Sequence, residues 1–332
     1  MTSPPVPILH TLIADDGVEL AYATWEPSEG APPPTDTATT TTSPTSSPTT
    51  PPSVLLLHGW SGSRRYWDPA IPVLTAAGCR VIAPDLRWHG DSGRPPAGHT
   101  VARLGDDLAC LLAALARPPA SVTGVGSSMG AAILWAHARD HAASGLARHV
   151  YVDQAPLQDR VPGWTLGSKG CYDAATLAGL QAAVRGDGAA FAAGNAAACL
   201  AQPIPAALAA LLAAETGRAD ADGLARLMAD HTANDWRPVL HQAAVLGEAL
   251  VVIGGRSDIF PPAGCAAVAD AMGPARAAAV TFTAGGHWLY LEQPAEFGAL
   301  VAAFAAGGLA GVAGWGDVGP AGGGGGGGGG GV

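Results

Sequence analysis

Residues 122–132 read V-T-G-V-G-S-S-M-G-A-A: a short β-type run, Val122 to Val125, then a small-residue helical pattern. Few stretches constrain a fold as tightly as G-x-S-x-G set between a strand and a helix. The turn must be sharp enough to lift Ser128 clear of the sheet in a strained backbone conformation. Gly126 and Gly130 remove side chains that would collide with the neighbouring strand and helix. Because the turn also opens a helix, the Met129 N–H has no helical acceptor and points where negative charge on oxygen could form. A chain rich in Ala and Gly also produces Gly/Ser loops by chance, so the motif needs support from the rest of the sequence.

That support comes from the order of elements. Ile8 to Ile13 and Val18 to Trp25 flank Asp15-Asp16-Gly17, which predicts a β-hairpin within residues 1–25. Residues 26–53 are dominated by Pro, Thr and Ser and are expected to form a disordered insertion, with a modified linker as the alternative. A core follows over 54–153. Val54-Leu55-Leu56-Leu57 reads as a strand buried on both faces and ends in His58-Gly59-Trp60. Arg80 to Ala83 is the next strand. Leu104, Leu108, Leu111, Leu112 and Leu115 share one helical face, and Pro118-Pro119 is expected to stop that helix. Residues 154–236 lack a convincing strand and read as a helical insertion. The β-pattern resumes in a second part of the core, 237–306, and 307–332, with ten consecutive glycines at 322–331, is expected to be a disordered tail. Alternating strands and helices predict an α/β fold with a mostly parallel sheet, whose ligand sits beyond the C-terminal strand ends.

Composition narrows the partners. The chain has 332 residues, enough for one large α/β domain or two small ones, and a net charge of −10 with Lys169 as its sole lysine. Without a basic cluster, nucleic acid and anionic membranes are poor partners. The Ala-rich segments are broken by Gly, Pro and charge, so no membrane span is expected. Five scattered cysteines lack C-x-x-C or metal spacing and read as buried free thiols; no metal or cofactor is expected. The first residues resemble neither a secretory signal nor a transit peptide, giving a cytoplasmic expectation.

A serine hydroxyl needs a base, and the base an orienting carboxylate. Among ten histidines, His287 stands out in Gly285-Gly286-His287-Trp288, after the last strand, where glycines let a loop carry a ring into a cleft. His137 and His141 read as surface residues, and His10, His99, His149, His231 and His241 lack a chemical context. Two carboxylates lie at late strand ends. Asp258, in Gly254-Gly255-Arg256-Ser257-Asp258-Ile259-Phe260-Pro261, is preferred as the acid, although capping the next helix is an alternative duty. Asp153 is the rival, otherwise shaping the pocket floor. The chain order Ser128, Asp258, His287 is the nucleophile–acid–base order found with this type of elbow.

H-G-W, D-L-R-W-H-G-D-S, G-S-S-M-G, G-G-R-S-D-I-F-P and G-G-H-W fall in an order that resembles the α/β-hydrolase fold over Ile8 to Ala306, apart from the 26–53 insertion. The resemblance implies a triad of Ser128, His287 and Asp258 and an oxyanion hole from the backbone N–H groups of Trp60 and Met129. It also implies that 154–236 forms the lid. The pattern departs at Trp88, where many members have Gly, and at Ser127, where His is frequent. Haloalkane dehalogenases and epoxide hydrolases place Asp at the elbow, so Ser128 speaks against both. The H-G-W loop and S-M-G elbow are also similar to cofactor-free haloperoxidases and perhydrolases.

The leading expectation is therefore a carboxylic ester hydrolase acting on a small ester or acyl substrate. Perhydrolase, thioesterase and carbon–carbon bond hydrolase activities on the same triad are alternatives. From a different class comes a low-turnover binding or receptor protein of the same fold.

Overall fold

Eight strands build one sheet: β1 (Ile8–Ile13), β2 (Glu19–Trp25), β3 (Ser53–Leu57), β4 (Arg80–Pro84), β5 (Val122–Ser127), β6 (Arg148–Val152), β7 (Glu248–Gly254) and β8 (Ala277–Phe282). The computed structural model describes residues 5–31, 51–115, 122–142, 144–242 and 246–320. The strand order is β1-β2-β4-β3-β5-β6-β7-β8. β2 pairs antiparallel with β1 and β4, and every pairing from β4 through to β8 is parallel. Parallel strands need crossovers that cover both faces, and the apolar text of β3 reflects this. Leu55 and Leu57 join the core layer holding Leu104, Trp135 and Val251, while Val54 and Leu56 join the opposite layer with Trp67, Phe297 and Phe304.

Helices α1 (Ile71–Ala76), α2 (Val101–Ala114) and α3 (Met129–His141) belong to the first half of the core. Between β6 and β7 lie α4 (Ala174–Arg185), α5 (Gly188–Cys199), α6 (Ala206–Arg218) and α7 (Ala221–Ala233), followed by the single turn α8 (Arg237–Leu240). Asp173, Asp187 and Asp220 cap α4, α5 and α7 by accepting first-turn N–H bonds, which defines helix starts that Ala-rich text alone leaves vague. Residues of α4, α5 and α7 line the cavity that opens at Ser128, at the end of β5, and these helices are termed the cap. α9 (Pro262–Met272), α10 (Leu289–Glu292) and α11 (Pro294–Val312) complete the core.

Two boundary expectations change. Residues 32–50 of the 26–53 segment lie outside the described residues, and its last residue, Ser53, is already the start of β3. Pro118-Pro119 also lie outside them. The chain does not lose its structure at Gly307. α11 continues to Val312 through a bend at Gly308, whose φ of 58° is open to glycine and costly to other residues. Beyond it, Val318 pairs in parallel with Phe282, its N–H bonding Thr281 O at 2.8 Å and its carbonyl accepting the Thr283 N–H at 2.8 Å. By length and composition α11 is apolar enough to cross a membrane, yet Phe297, Leu300, Val301 and Phe304 are fully buried in the core.

Candidate active site

Ser128 stands at the end of β5 with φ 53° and ψ −122°, a conformation that costs a non-glycine residue roughly 1–3 kcal/mol. Its neighbours leave no room for a gentler turn. A Cβ at Gly126 would lie 2.3 Å from the Gly130 carbonyl, and one at Gly130 2.4 Å from Leu57 O. The Ser128 N–H donates to Val152 O at 2.9 Å, which ties the turn to the next strand. Met129 then begins α3, so its N–H has no acceptor one turn earlier.

On the other side of the serine, the loop after β3 carries Trp60. Two buried histidines shape it. His58 Nε2 accepts the Leu86 N–H at 3.1 Å, so its Nδ1 donates to Gly59 O at 2.8 Å. His89 Nε2 accepts the Ser61 N–H at 3.2 Å, and its Nδ1 donates to Arg87 O at 2.7 Å. Burial pushes His58 down to about 4 and His89 down to about 3, so both stay neutral and serve as fixed struts. Trp60 makes no backbone N–H bond among the described residues, while its indole N–H donates to Leu224 O of α7 at 2.9 Å. The loop that would meet an oxyanion is thus bolted to the cap.

His287 is placed by the turn between β8 and α10. Its Nδ1 lies 2.6 Å from Asp153 Oδ2, with the His287 side chain 4% exposed and that of Asp153 fully buried. A carboxylate only accepts here, so the proton sits on Nδ1 and Nε2 is left as an acceptor. Asp153 is the residue after β6, at φ 47°, so two adjacent strand ends each carry a strained residue, Ser128 and Asp153. Ser127 pairs with Val152 in the β5–β6 register, which makes Ser128 and Asp153 the next residues along.

This corrects the choice of acid. Asp258, expected to orient His287, has a side chain 82% exposed, and its ionic partner is Lys169 Nζ at 3.7 Å. The residue before it reaches inward instead. The Ser257 hydroxyl donates to Asp153 Oδ2 at 2.6 Å, and the Gly254 N–H donates to Oδ1 at 2.9 Å. Ser257 Oγ in turn accepts N–H bonds from Ile259 and Phe260 at 3.2 and 3.3 Å. The carboxylate bonded to His287 therefore comes from the end of β6, and the β7 loop supplies its supports.

Sequence reasoning also missed Lys169 and Glu292. Lys169 Nζ donates to Ser257 O at 2.5 Å, pinning the loop that holds Asp153. Glu292 Oε2 accepts the Gly286 N–H at 2.6 Å, while Oε1 accepts those of Ala201 and Gln202 at 2.6 and 2.7 Å. One carboxylate thus locks the histidine loop to the cap. No local motif signals it. The departure at Trp88 has a structural reason: the residue takes φ 66° and sits against α7, where a Cβ on Gly223 would come within 2.6 Å of its ring. The Asp220 N–H donates to Trp88 O at 2.8 Å. Trp88 anchors the cap.

Ser128 and His287 open onto one cavity of about 550 Å³ beneath the cap, bounded by Trp60, Phe191, Ile259 and Phe260. Among the described lining residues none is Lys or Arg, and the one acid, Asp187, spends its Oδ1 on the α5 cap.

A strained serine at the elbow of a parallel sheet, with a buried His–Asp pair at the neighbouring strand ends and a helical cap above, defines the α/β-hydrolase architecture. Residues 54–300 match the family described as "Alpha/beta hydrolase family", and the chain belongs to it. Among curated proteins it is similar to a non-heme chloroperoxidase from Streptomyces lividans, 31% identical over 32% of this chain and 31% of that protein. It is likewise similar to a non-heme haloperoxidase from Rhodococcus erythropolis, 29% identical over 43% of each chain. The chain thus spans less than half the length of these two relatives. The same fold occurs in an esterase from Exiguobacterium antarcticum, with a TM-score of 0.76, 18% identity and coverage of 89% of this chain and 98% of that one. A bromoperoxidase from Bacillus anthracis shares it at a TM-score of 0.72, 21% identity and coverage of 88% and 97%.

Proposed function

We propose that the protein is a serine hydrolase that cleaves small, uncharged carboxylic esters through an acyl-enzyme. The observation that carries this reading is the 2.6 Å contact between His287 Nδ1 and the buried Asp153 carboxylate, in a cavity shared with Ser128. His287 Nε2 takes the Ser128 proton as Oγ bonds to the substrate carbonyl carbon. The carbonyl oxygen becomes an oxyanion received by the Trp60 and Met129 N–H groups. The C–O bond of the ester then breaks, and the imidazolium returns the proton to the leaving alcohol. Water, deprotonated by His287, attacks the acyl carbon and releases the acid and Ser128. Asp153 stays ionised throughout, holding the Nδ1–H tautomer and stabilising the transient imidazolium. The absence of Lys and Arg from the described lining supports an uncharged substrate, because an anionic arm would be desolvated without a counter-charge.

The likeness to haloperoxidases supports a second outcome at the same site. Hydrogen peroxide in place of water would take the acyl group and leave as a peroxy acid. The test is a panel of p-nitrophenyl esters of rising chain length, run beside labelling with a fluorophosphonate probe. Stoichiometric labelling at Ser128 is expected, with kcat lowered by about a millionfold in Ser128→Ala. A Ser128 that the probe leaves unlabelled, or a Ser128→Ala variant with unchanged turnover, would overturn the proposal.

A further inference from the structure

The cavity beneath the cap contains two polar side chains that the ester chemistry leaves unused. Gln158 is 5% exposed and His231 is 3% exposed, and both line the same cavity as Ser128. Gln158 Oε1 and His231 Nδ1 are fully buried and have no hydrogen-bond partner among the described residues. The Gln158 amide nitrogen finds only the Met228 sulfur at 3.9 Å, a weak acceptor. Met228 sits one turn before His231 on α7, so these groups belong to one wall. Burying polar atoms without partners costs free energy that apolar side chains would avoid. Desolvation pushes His231 down to about 3, so it faces the cavity as a neutral imidazole with one donor and one acceptor.

We propose that Gln158 and His231 form a polar subsite that reads a neutral hydrogen-bonding group, a hydroxyl or a primary amide, on one arm of the substrate. When the Gln158 side chain rotates on binding, its carbonyl oxygen can accept from a hydroxyl that exchanges a second hydrogen bond with the imidazole. Among the described lining residues an anionic group has no cation to meet, and a cationic one no carboxylate beyond the capped Asp187. The apolar faces of Met228, Ile259 and Phe260 favour an aromatic or aliphatic spacer between that group and the ester. This subsite rests on the hydrolase reading for its ester, but its binding can be measured without turnover.

The test uses ketones in place of esters. The affinity of the unsubstituted protein for 4-(4-hydroxyphenyl)butan-2-one is compared by calorimetry with that for its 4-methylphenyl isostere and its 4-carboxyphenyl analogue. The hydroxyl ligand should bind at least about tenfold more tightly than either, the effect of two modest hydrogen bonds. Gln158→Leu and His231→Phe should each erase or reverse the preference over the methyl isostere. Gln158→Met guards against misfolding, since it keeps the chain length and should behave like Gln158→Leu. Equal affinities, tighter binding of the carboxylate, or no binding of the hydroxyl ligand would overturn the subsite. Fluorophosphonate labelling in parallel separates the two readings. Labelled Ser128 with no hydroxyl preference rejects the subsite alone, and hydroxyl-selective binding by an unlabelled protein rejects the hydrolase alone.

Discussion

The ends of β6 and β7 lie side by side, and each carries an aspartate. The β6 end places Asp153 at φ 47°, fully buried, with His287 and Ser257 on one carboxylate oxygen and the Gly254 N–H on the other. The β7 loop turns Asp258 outward to 82% exposure beside Lys169. Both carry the same charge, but only one is desolvated, oriented and bonded to the imidazole. In water, the Asp258–Lys169 pair contributes little. Within the fold, a carboxylate held by three N–H and O–H donors is a fixed electrostatic partner. Position along the chain does not distinguish the two, whereas backbone conformation and burial do.

Exchanging the acid's charge for an amide breaks that comparison most strongly. Asp153→Asn should lower kcat by about ten-thousandfold, because the amide no longer enforces the Nδ1–H tautomer. Asp258→Asn should stay within about twofold of the parent on the same ester, as expected for an exposed group. Steady-state kinetics with p-nitrophenyl acetate checks both, and the opposite ranking would return the acid to the β7 loop.

A smaller effect sharpens the account of how β7 supports β6. Ser257→Ala removes one of the donors to Asp153 Oδ2 and should lower kcat roughly ten- to a hundredfold, with KM little changed. Hydrogen bonds to charged groups are worth about 1.5–3 kcal/mol. A Ser257→Thr variant, which keeps the hydroxyl, should recover much of the loss. If Ser257→Ala matched the parent, the serine would be packing only.

Acid-side loss of activity must be separated from loss of the fold, and here the sign follows from burial. His58 and His149 are pushed down to about 4, and His89 and His231 to about 3, from an ordinary 6.5. The unfolded chain therefore binds protons that the native chain refuses. The stability tied to these rings is complete above about pH 6.5 and is lost as pH falls towards 4 and then 3, at about 1.4 kcal/mol per proton per pH unit. Melting temperature should fall steeply below pH 6. A flat melting curve down to pH 4 would mean that these rings charge within the fold.

Much of the site was legible because steric demands are written locally. Gly126 and Gly130 encode the close approaches around Ser128, and Gly285-Gly286 encode the room that the His287 loop needs. Apolar runs such as Val54–Leu57 reveal strands buried on both faces. What stayed hidden depends on long-range placement. Asp153 is held in place for His287 by β6 and β7 pairing in a register that sets the Gly254 N–H against its carboxylate. Glu292 and Lys169 act across 91 and 88 residues of chain, so no local pattern marks them. The glycines at 307 and 308 read as the start of a tail, yet Gly308 supplies the bend after which Val318 pairs with β8.

The most direct measurement of the central claim, that Asp153 is the acid bonded to His287, is proton NMR of the imidazole N–H region. A hydrogen bond of this length to a carboxylate should give one strongly deshielded Nδ1–H resonance. The account predicts that it persists in Asp258→Asn and disappears in both Asp153→Asn and His287→Ala. Its survival in Asp153→Asn, with loss in Asp258→Asn, would contradict the assignment.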